Sequence, residues 1–220
     1  MRPPRGADEG MRPLIGVISW LPPDEPRRSV RRARAIDTLR KCRAIFPSVP
    51  VLVIAQGWQP MELAGMPSGI TFSLYPRLGI LGARRELRER FLQSPFDCLI
   101  MLDDDCDLSG TRADGDAYLA ELRSHPGCFG ERAGTALKLL SVCREVFIEY
   151  PDVDPEAGDG YEDRAFVGAL RASFPERRFA YGSGPLANDD ATSDPYTTWD
   201  RAPMRNRLGA QFPYACAKRE

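Results

Sequence analysis

Histidine is almost missing from this chain: His125 stands alone among 220 residues. None of the six cysteines (Cys42, Cys98, Cys106, Cys128, Cys143, Cys216) forms a Cys-x-x-Cys pair, and without paired histidines the common structural zinc arrangements are excluded. Charge of one sign is lacking too. Lys and Arg number 30 against 31 Asp and Glu, a formal net charge of −1, so no overall field invites nucleic acid as the main partner. No apolar run approaches the roughly 20 residues that span a bilayer. Residues 1–12 are rich in Pro, Arg, Gly and acid and hold no apolar signal region, so they are expected to form a flexible leader. Several cysteines lie inside apolar runs, as in Leu139-Leu140-Ser141-Val142-Cys143, where a free thiol behaves as a small hydrophobe. A reducing, cytoplasmic setting is the expectation.

What is present is a regular series of apolar runs. Leu14 to Trp20, Val51 to Ala55 and Cys98 to Leu102 are continuous and short, as strands buried on both faces of a parallel sheet read, while Ile70 to Tyr75 alternates. Between the first two runs, Val30, Ala33, Ile36 and Leu39 recur every three residues, so a helix capped by Ser29 is expected, ending at Pro47. Ala83, Leu87 and Phe91 mark one face of a second helix, closed by Pro95. The order strand, helix, strand, strand, helix, strand suits an open α/β sheet with ligands at the carboxyl ends of its strands. The second half is less regular: helices are expected at residues 116–123 and 163–174, with apolar runs at 136–143 and 146–150. From Gly182 onward Gly, Pro, Asn and Asp dominate, so loops are expected there. The basic stretch from Arg27 to Arg43 reads most simply as a solvated helix face.

Two constellations carry chemistry. Asp103-Asp104-Asp105 and Asp107 follow directly on the fourth apolar run. Carboxylates this close repel unless compensated, and a divalent cation with oxygen ligands, Mg2+ or Mn2+, is a suitable compensation that leaves room for substrate phosphates. A solvated acidic turn is the plain alternative. The second is Gly158-Asp159-Gly160-Tyr161-Glu162-Asp163, leading into a stretch with Phe166, Val167 and Leu170 on one side. There Glu162 and Asp163 occupy the first turn of a helix, where its dipole keeps a carboxylate ionised and fit to act as general base. An acidic cap on a glycine turn has the same composition.

Together these segments resemble glycosyltransferases of the GT-A fold. Phe96-Asp97-Cys98-Leu99-Ile100-Met101-Leu102-Asp103-Asp104-Asp105 is similar to that family's strand and Asp-x-Asp metal motif. Leu140 to Ile148 followed by Gly158 to Asp163 is similar to the strand and Glu-Asp motif of inverting members, including family 2 enzymes and β-1,4-galactosyltransferases. The resemblance implies a Rossmann-like open mixed sheet flanked by helices in a single domain, residues 13–181, with a nucleotide-binding half at 13–110, an acceptor half at 111–181 and a loop-rich lid or tail at 182–220. It implies an inverting, metal-dependent hexosyltransferase that moves a sugar from a nucleotide-sugar, such as a UDP-sugar, to the hydroxyl of an unspecified acceptor. Asp105 would ligate the metal with Asp103 or Asp107, since Asp103/Asp105 and Asp105/Asp107 both fit the motif. Asp163 would be the base, and Glu162 would hold the acceptor or orient the base. Asp103, Asp104, Arg84, Arg85, Trp20 and Gln56 would line the donor site. Many members carry a histidine ligand further on; this chain has none after His125, and Asn188 or Asp189, or a water, takes that place. A haloacid-dehalogenase-type phosphatase, a nucleotidyltransferase and a non-catalytic nucleotide-sugar-binding protein are the rival readings.

Overall fold

The apolar run Pro13–Trp20 becomes strand β1, buried along seven of its eight residues, because it lies at the centre of a parallel sheet with helices over both faces. In the computed structural model, residues 10–106, 108–132, 139–152 and 162–181 are described, with backbone alone for 132 and 162–164. The elements after β1 are α1 (Arg27–Ile45), β2 (Val51–Gln56), β3 (Ile70–Tyr75), α2 (Gly79–Gln93), β4 (Cys98–Asp103), α3 (Arg112–Ser124), β5 (Phe129–Arg132), β6 (Leu140–Cys143), α4 (Glu162–Ser173) and β7 (Arg178–Tyr181).

The seven strands form one sheet in the order β3-β2-β1-β4-β6-β5-β7. Strands β3, β2, β1 and β4 are parallel, β6 runs antiparallel to β4 and β5, and β7 is parallel to β5. Chain travel from β1 to β2 and from β3 to β4 goes in opposite directions across the sheet, so right-handed crossovers put α1 and α2 on opposite faces. Phe46, Tyr118 and Tyr181 join α1, α3 and β7 on one side, at ring separations of 6.1 and 4.9 Å. On the other, Phe91, Phe147 and Phe166 link α2 to α4, at 5.5 and 5.6 Å. Two glycines permit close helix packing. A Cβ on Gly16 would stand 2.8 Å from Leu87, and one on Gly115 would stand 2.5 Å from the Ile45 carbonyl oxygen.

Several sequence expectations change. Helix α1 begins at Arg27 with Pro26 at its N-cap, and Ser29 makes no cap but donates its N–H to Glu25. The buried stripe of α1 is Ala35, Thr38, Leu39, Cys42 and Ile45, whereas Val30 and Ala33 are exposed. Tertiary contacts with α3 rotate the helix away from its most regular apolar series. Helix α3 starts four residues earlier than expected, at Arg112, because Thr111 and Asp114 close a capping box around its first turn. The run from Val146 to Tyr150 is a short 3-10 turn and coil, while β5 and β7 are strands absent from the sequence reading. The basic face of α1 is not merely solvated: Arg28 grips Glu62 at 2.5 Å and the Gly57 carbonyl at 2.7 Å, and Arg32 holds the Glu62 carbonyl at 2.8 Å.

Candidate active site

The crevice between β1 and β4 is the point where the strand order reverses, and the aspartate run leaves β4 at its carboxyl end. Three consecutive aspartates on a turn face in different directions: Asp103 takes Arg84, while Asp104 and Asp105 share Arg31. Asp104 turns inward and is 4% exposed. One of its oxygens accepts from the Ser19 hydroxyl at 2.6 Å and the other from Arg31 at 2.9 Å. Trp58 donates its indole N–H to the same Ser19 oxygen at 3.0 Å, which completes a chain from β2 through β1 to the aspartate turn. Burial pushes the Asp104 carboxyl up to about 6, with the neighbouring Asp105 and Asp103 adding to the rise and Arg31 and Ser19 opposing it.

Asp103 and Asp105 face outward, with side chains 27% and 31% exposed. Asp103 accepts from Arg84 at 2.7 Å, and Arg84, on α2, is 2% exposed: a whole arginine buried to neutralise a carboxylate at the crevice. Asp105 lies 3.4 Å from the second arm of Arg31. The Cys106 carbonyl accepts from Thr38 at 3.1 Å, which ties the turn to α1.

Carboxylate oxygens of Asp103 and Asp105 and the Cys106 sulfur lie within 4.8 Å of one another. Two hard oxygen donors at that spacing fit Mg2+ or Mn2+, which take one or two carboxylates and leave positions for phosphate; the buried Cys106 thiol is a soft donor and suits neither ion.

The other sequence-derived candidates are distributed around this group. Trp20 ends β1 with the Arg77 guanidinium 5.1 Å above its ring. Gln56 ends β2, is buried, and accepts from the Leu78 N–H at 2.7 Å, so it pins the loop into α2. Arg85 points elsewhere: it pairs with Asp152 at 2.5 Å and reaches the Tyr150 carbonyl at 3.4 Å. Glu162 and Asp163 open α4, with only their backbone described. In the next turn Phe166 stacks on Tyr150 at 4.1 Å, and the Tyr150 hydroxyl donates to the Met101 sulfur on β4 at 3.0 Å. Asp107, Asn188 and Asp189 lie outside the described residues. Sequence reasoning missed Ser19 and Arg31. Their signal was a hydroxyl on an otherwise apolar buried strand, and a cation one helix later to balance the middle aspartate.

Among solved structures the chain is similar to a protein described as a nucleotide-diphospho-sugar transferase from Desulfovibrio desulfuricans, with 7% identity, a TM-score of 0.58, and coverage of 93% of this chain and 98% of that one. The fold is that of this transferase. A second similar structure is 4-diphosphocytidyl-2C-methyl-D-erythritol synthase, with 11% identity, a TM-score of 0.52, and coverage of 86% of this chain and 96% of that one. No family model and no curated protein matches the chain. No helix among the described residues is long and apolar enough to cross a membrane.

Proposed function

We propose that this chain is a divalent-metal-dependent transferase that binds a nucleotide-sugar, such as a UDP-sugar, and passes the sugar to an acceptor hydroxyl with inversion. The observation that carries the reading is the convergence of Asp103 and Asp105 at the mouth of the β1/β4 crevice. Mn2+ or Mg2+ held by these two carboxylates would neutralise the charge of the departing diphosphate. Asp107, Asn188 and Asp189 are the candidates for further ligands. Arg84 fixes the orientation of Asp103, and Asp104, through Ser19 and Arg31, sets the turn that presents its two neighbours. In this reading Asp104 and Arg84 act as framework under the donor rather than as its direct contacts. Trp20 and Gln56 border the same mouth and are assigned to the nucleoside. Asp163, in the first turn of α4, takes the proton from the acceptor hydroxyl, and Glu162 orients it. Residues 13–110 are assigned to the nucleotide and 111–181 to the acceptor.

Nucleotidyl transfer is the second reading, favoured by the likeness to a synthase of a diphosphocytidyl compound. A dehalogenase-type phosphatase is disfavoured because the aspartates follow the fourth strand instead of the first. The phosphorus product separates the two transferases. With Mn2+, nucleotide-sugars and a panel of acceptors, release of nucleoside diphosphate supports glycosyl transfer. Release of pyrophosphate from a nucleoside triphosphate and a sugar phosphate supports nucleotidyl transfer. Substitution Asp163→Asn is expected to leave nucleotide-sugar binding intact and to lower transfer by about 100- to 10,000-fold, the usual worth of a general base. A product that retains the donor's anomeric configuration would overturn the single displacement.

A further inference from the structure

At the opposite end of β4 from the aspartates, about 16 Å along the strand, three of the cysteines gather. Cys98 and Cys143 are direct partners across the antiparallel β4/β6 pair, and both are buried. The Arg144 N–H donates to the Asp97 carbonyl at 2.9 Å, one residue outside the pair on each strand, so Cys98 and Cys143 occupy a non-hydrogen-bonded site. There the Cα atoms approach to about 4.5 Å, inside the range of roughly 4.4 to 6.8 Å that a disulfide spans.

The two thiols have unlike surroundings. The Cys98 thiol points along its own strand toward the Leu99 carbonyl, at 3.9 Å, whereas Cys143 is held beside the turn into β5 by its N–H, which donates to the Cys128 carbonyl at 3.0 Å. Gly127, at φ 70°, adopts the left-handed conformation that turns the chain into β5. The polar influence of Cys98, and of the Cys128 and Gly127 backbone, holds the Cys143 thiol below the ordinary cysteine range despite its burial, whereas burial pushes Cys42 up to about 12 and raises Cys98 and Cys128. Cys143 also lines a cavity of about 370 Å³, shared with Met11, Asp97, Pro126, Gly127 and Arg144, which gives a small reagent access from solvent.

We propose that Cys143 is a peroxide-reactive thiol and that Cys98 resolves it, forming a reversible cross-strand disulfide between β4 and β6. The Cys143 thiolate attacks one oxygen of hydrogen peroxide; an S–O bond forms, the O–O bond breaks, and the released hydroxide takes a proton to become water. The Cys98 sulfur then attacks the Cys143 sulfenic sulfur. The S–S bond forms, the S–O bond breaks, and the leaving hydroxide takes the Cys98 proton as a second water. Two thiols lose two electrons in all, and one peroxide is reduced to two waters. A dithiol reductant reverses the bond by exchange.

The test uses the full chain, reduced and then treated with hydrogen peroxide. Peptide mapping without reductant is expected to show a Cys98–Cys143 linkage that dithiothreitol removes. In the Cys98→Ser variant, dimedone is expected to trap Cys143 as the sulfenic acid. At pH 7 iodoacetamide is expected to label Cys143 in native protein more than about tenfold faster than Cys42, from the larger thiolate fraction partly offset by lower nucleophilicity. Folded, peroxide-treated protein with Cys98 and Cys143 unlinked overturns the proposal, and so does a Cys128–Cys143 linkage in its place. The mapping on unaltered protein decides even if the variant fails to fold.

Discussion

Arg31→Met is the perturbation that most directly tests how the aspartate turn is held. Among the described residues Arg31 is the cation that pairs with Asp104, at 2.9 Å, and its other arm lies 3.4 Å from Asp105. Methionine keeps much of the stem volume and removes the charge. Asp104 is then left buried with Ser19 as its remaining donor, and breaking a buried pair from one side costs about 3 to 5 kcal/mol. The loss depends on pH in a definite direction. The folded Asp104 carboxyl already lies above its ordinary value, at about 6, because burial outweighs Arg31. Its protonated form is favoured in the folded chain, so this group's contribution to stability is fully present below the unfolded value of about 4. That contribution is lost as pH rises through about 6, and further upward in the variant, where the opposing cation is gone. The variant's deficit is therefore expected to be small at pH 5, clearly larger at pH 7.5, and still growing above that. Urea unfolding in chelator-containing buffer measures it at both values. In an Asp104→Asn background the same Arg31 change is expected to cost less than about 1 kcal/mol, since no buried charge is left unpaired. Equal deficits at the two pH values, or in the two backgrounds, would refute the reasoning and reduce Arg31 to a packing role.

Asp105→Asn is expected to abolish the Mn2+-dependent part of any thermal stabilisation by nucleoside diphosphates while leaving the apo melting temperature within a few degrees, because its side chain is only partly buried. Gly115→Ala forces a Cβ to 2.5 Å from the Ile45 carbonyl oxygen, so α1 and α3 must part; a net loss of about 1 to 3 kcal/mol is expected despite the helix preference for alanine, and a gain would show that the helices separate freely. Thr111→Ala removes the side-chain acceptor for the Asp114 N–H and is expected to cost about 1 kcal/mol, read as a shift in the urea midpoint at constant slope.

The parallel half of the sheet was legible in the sequence because each of its central strands is a short, continuous apolar run with an abrupt polar, Gly or Pro end. Strand β4, buried at Cys98 through Leu102 and half-buried at Asp103, is the plainest case. The other half was not. Strands β5 and β7 have four residues each and carry Glu131, Arg132 and Arg178, which read locally as polar loop. Glu131 is nonetheless 3% exposed, because Arg171 from α4 and Arg178 from β7 both pair with it. No window of sequence shows that pairing, since the partners lie 40 and more residues away.

For the site, the sequence by itself determined that carboxylates leave the end of a buried strand and that a second acidic group opens a later helix. Which carboxylate faces solvent was decided only by tertiary structure. Asp103, Asp104 and Asp105 are chemically identical and adjacent, so local preference cannot rank them. Their directions follow from donors 19, 85 and 73 to 74 residues away in the chain: Arg84 for Asp103, Ser19 for Asp104, and Arg31 between Asp104 and Asp105. A buried carboxylate must be paired, and the middle aspartate turns inward because that is where a hydroxyl and a guanidinium are waiting.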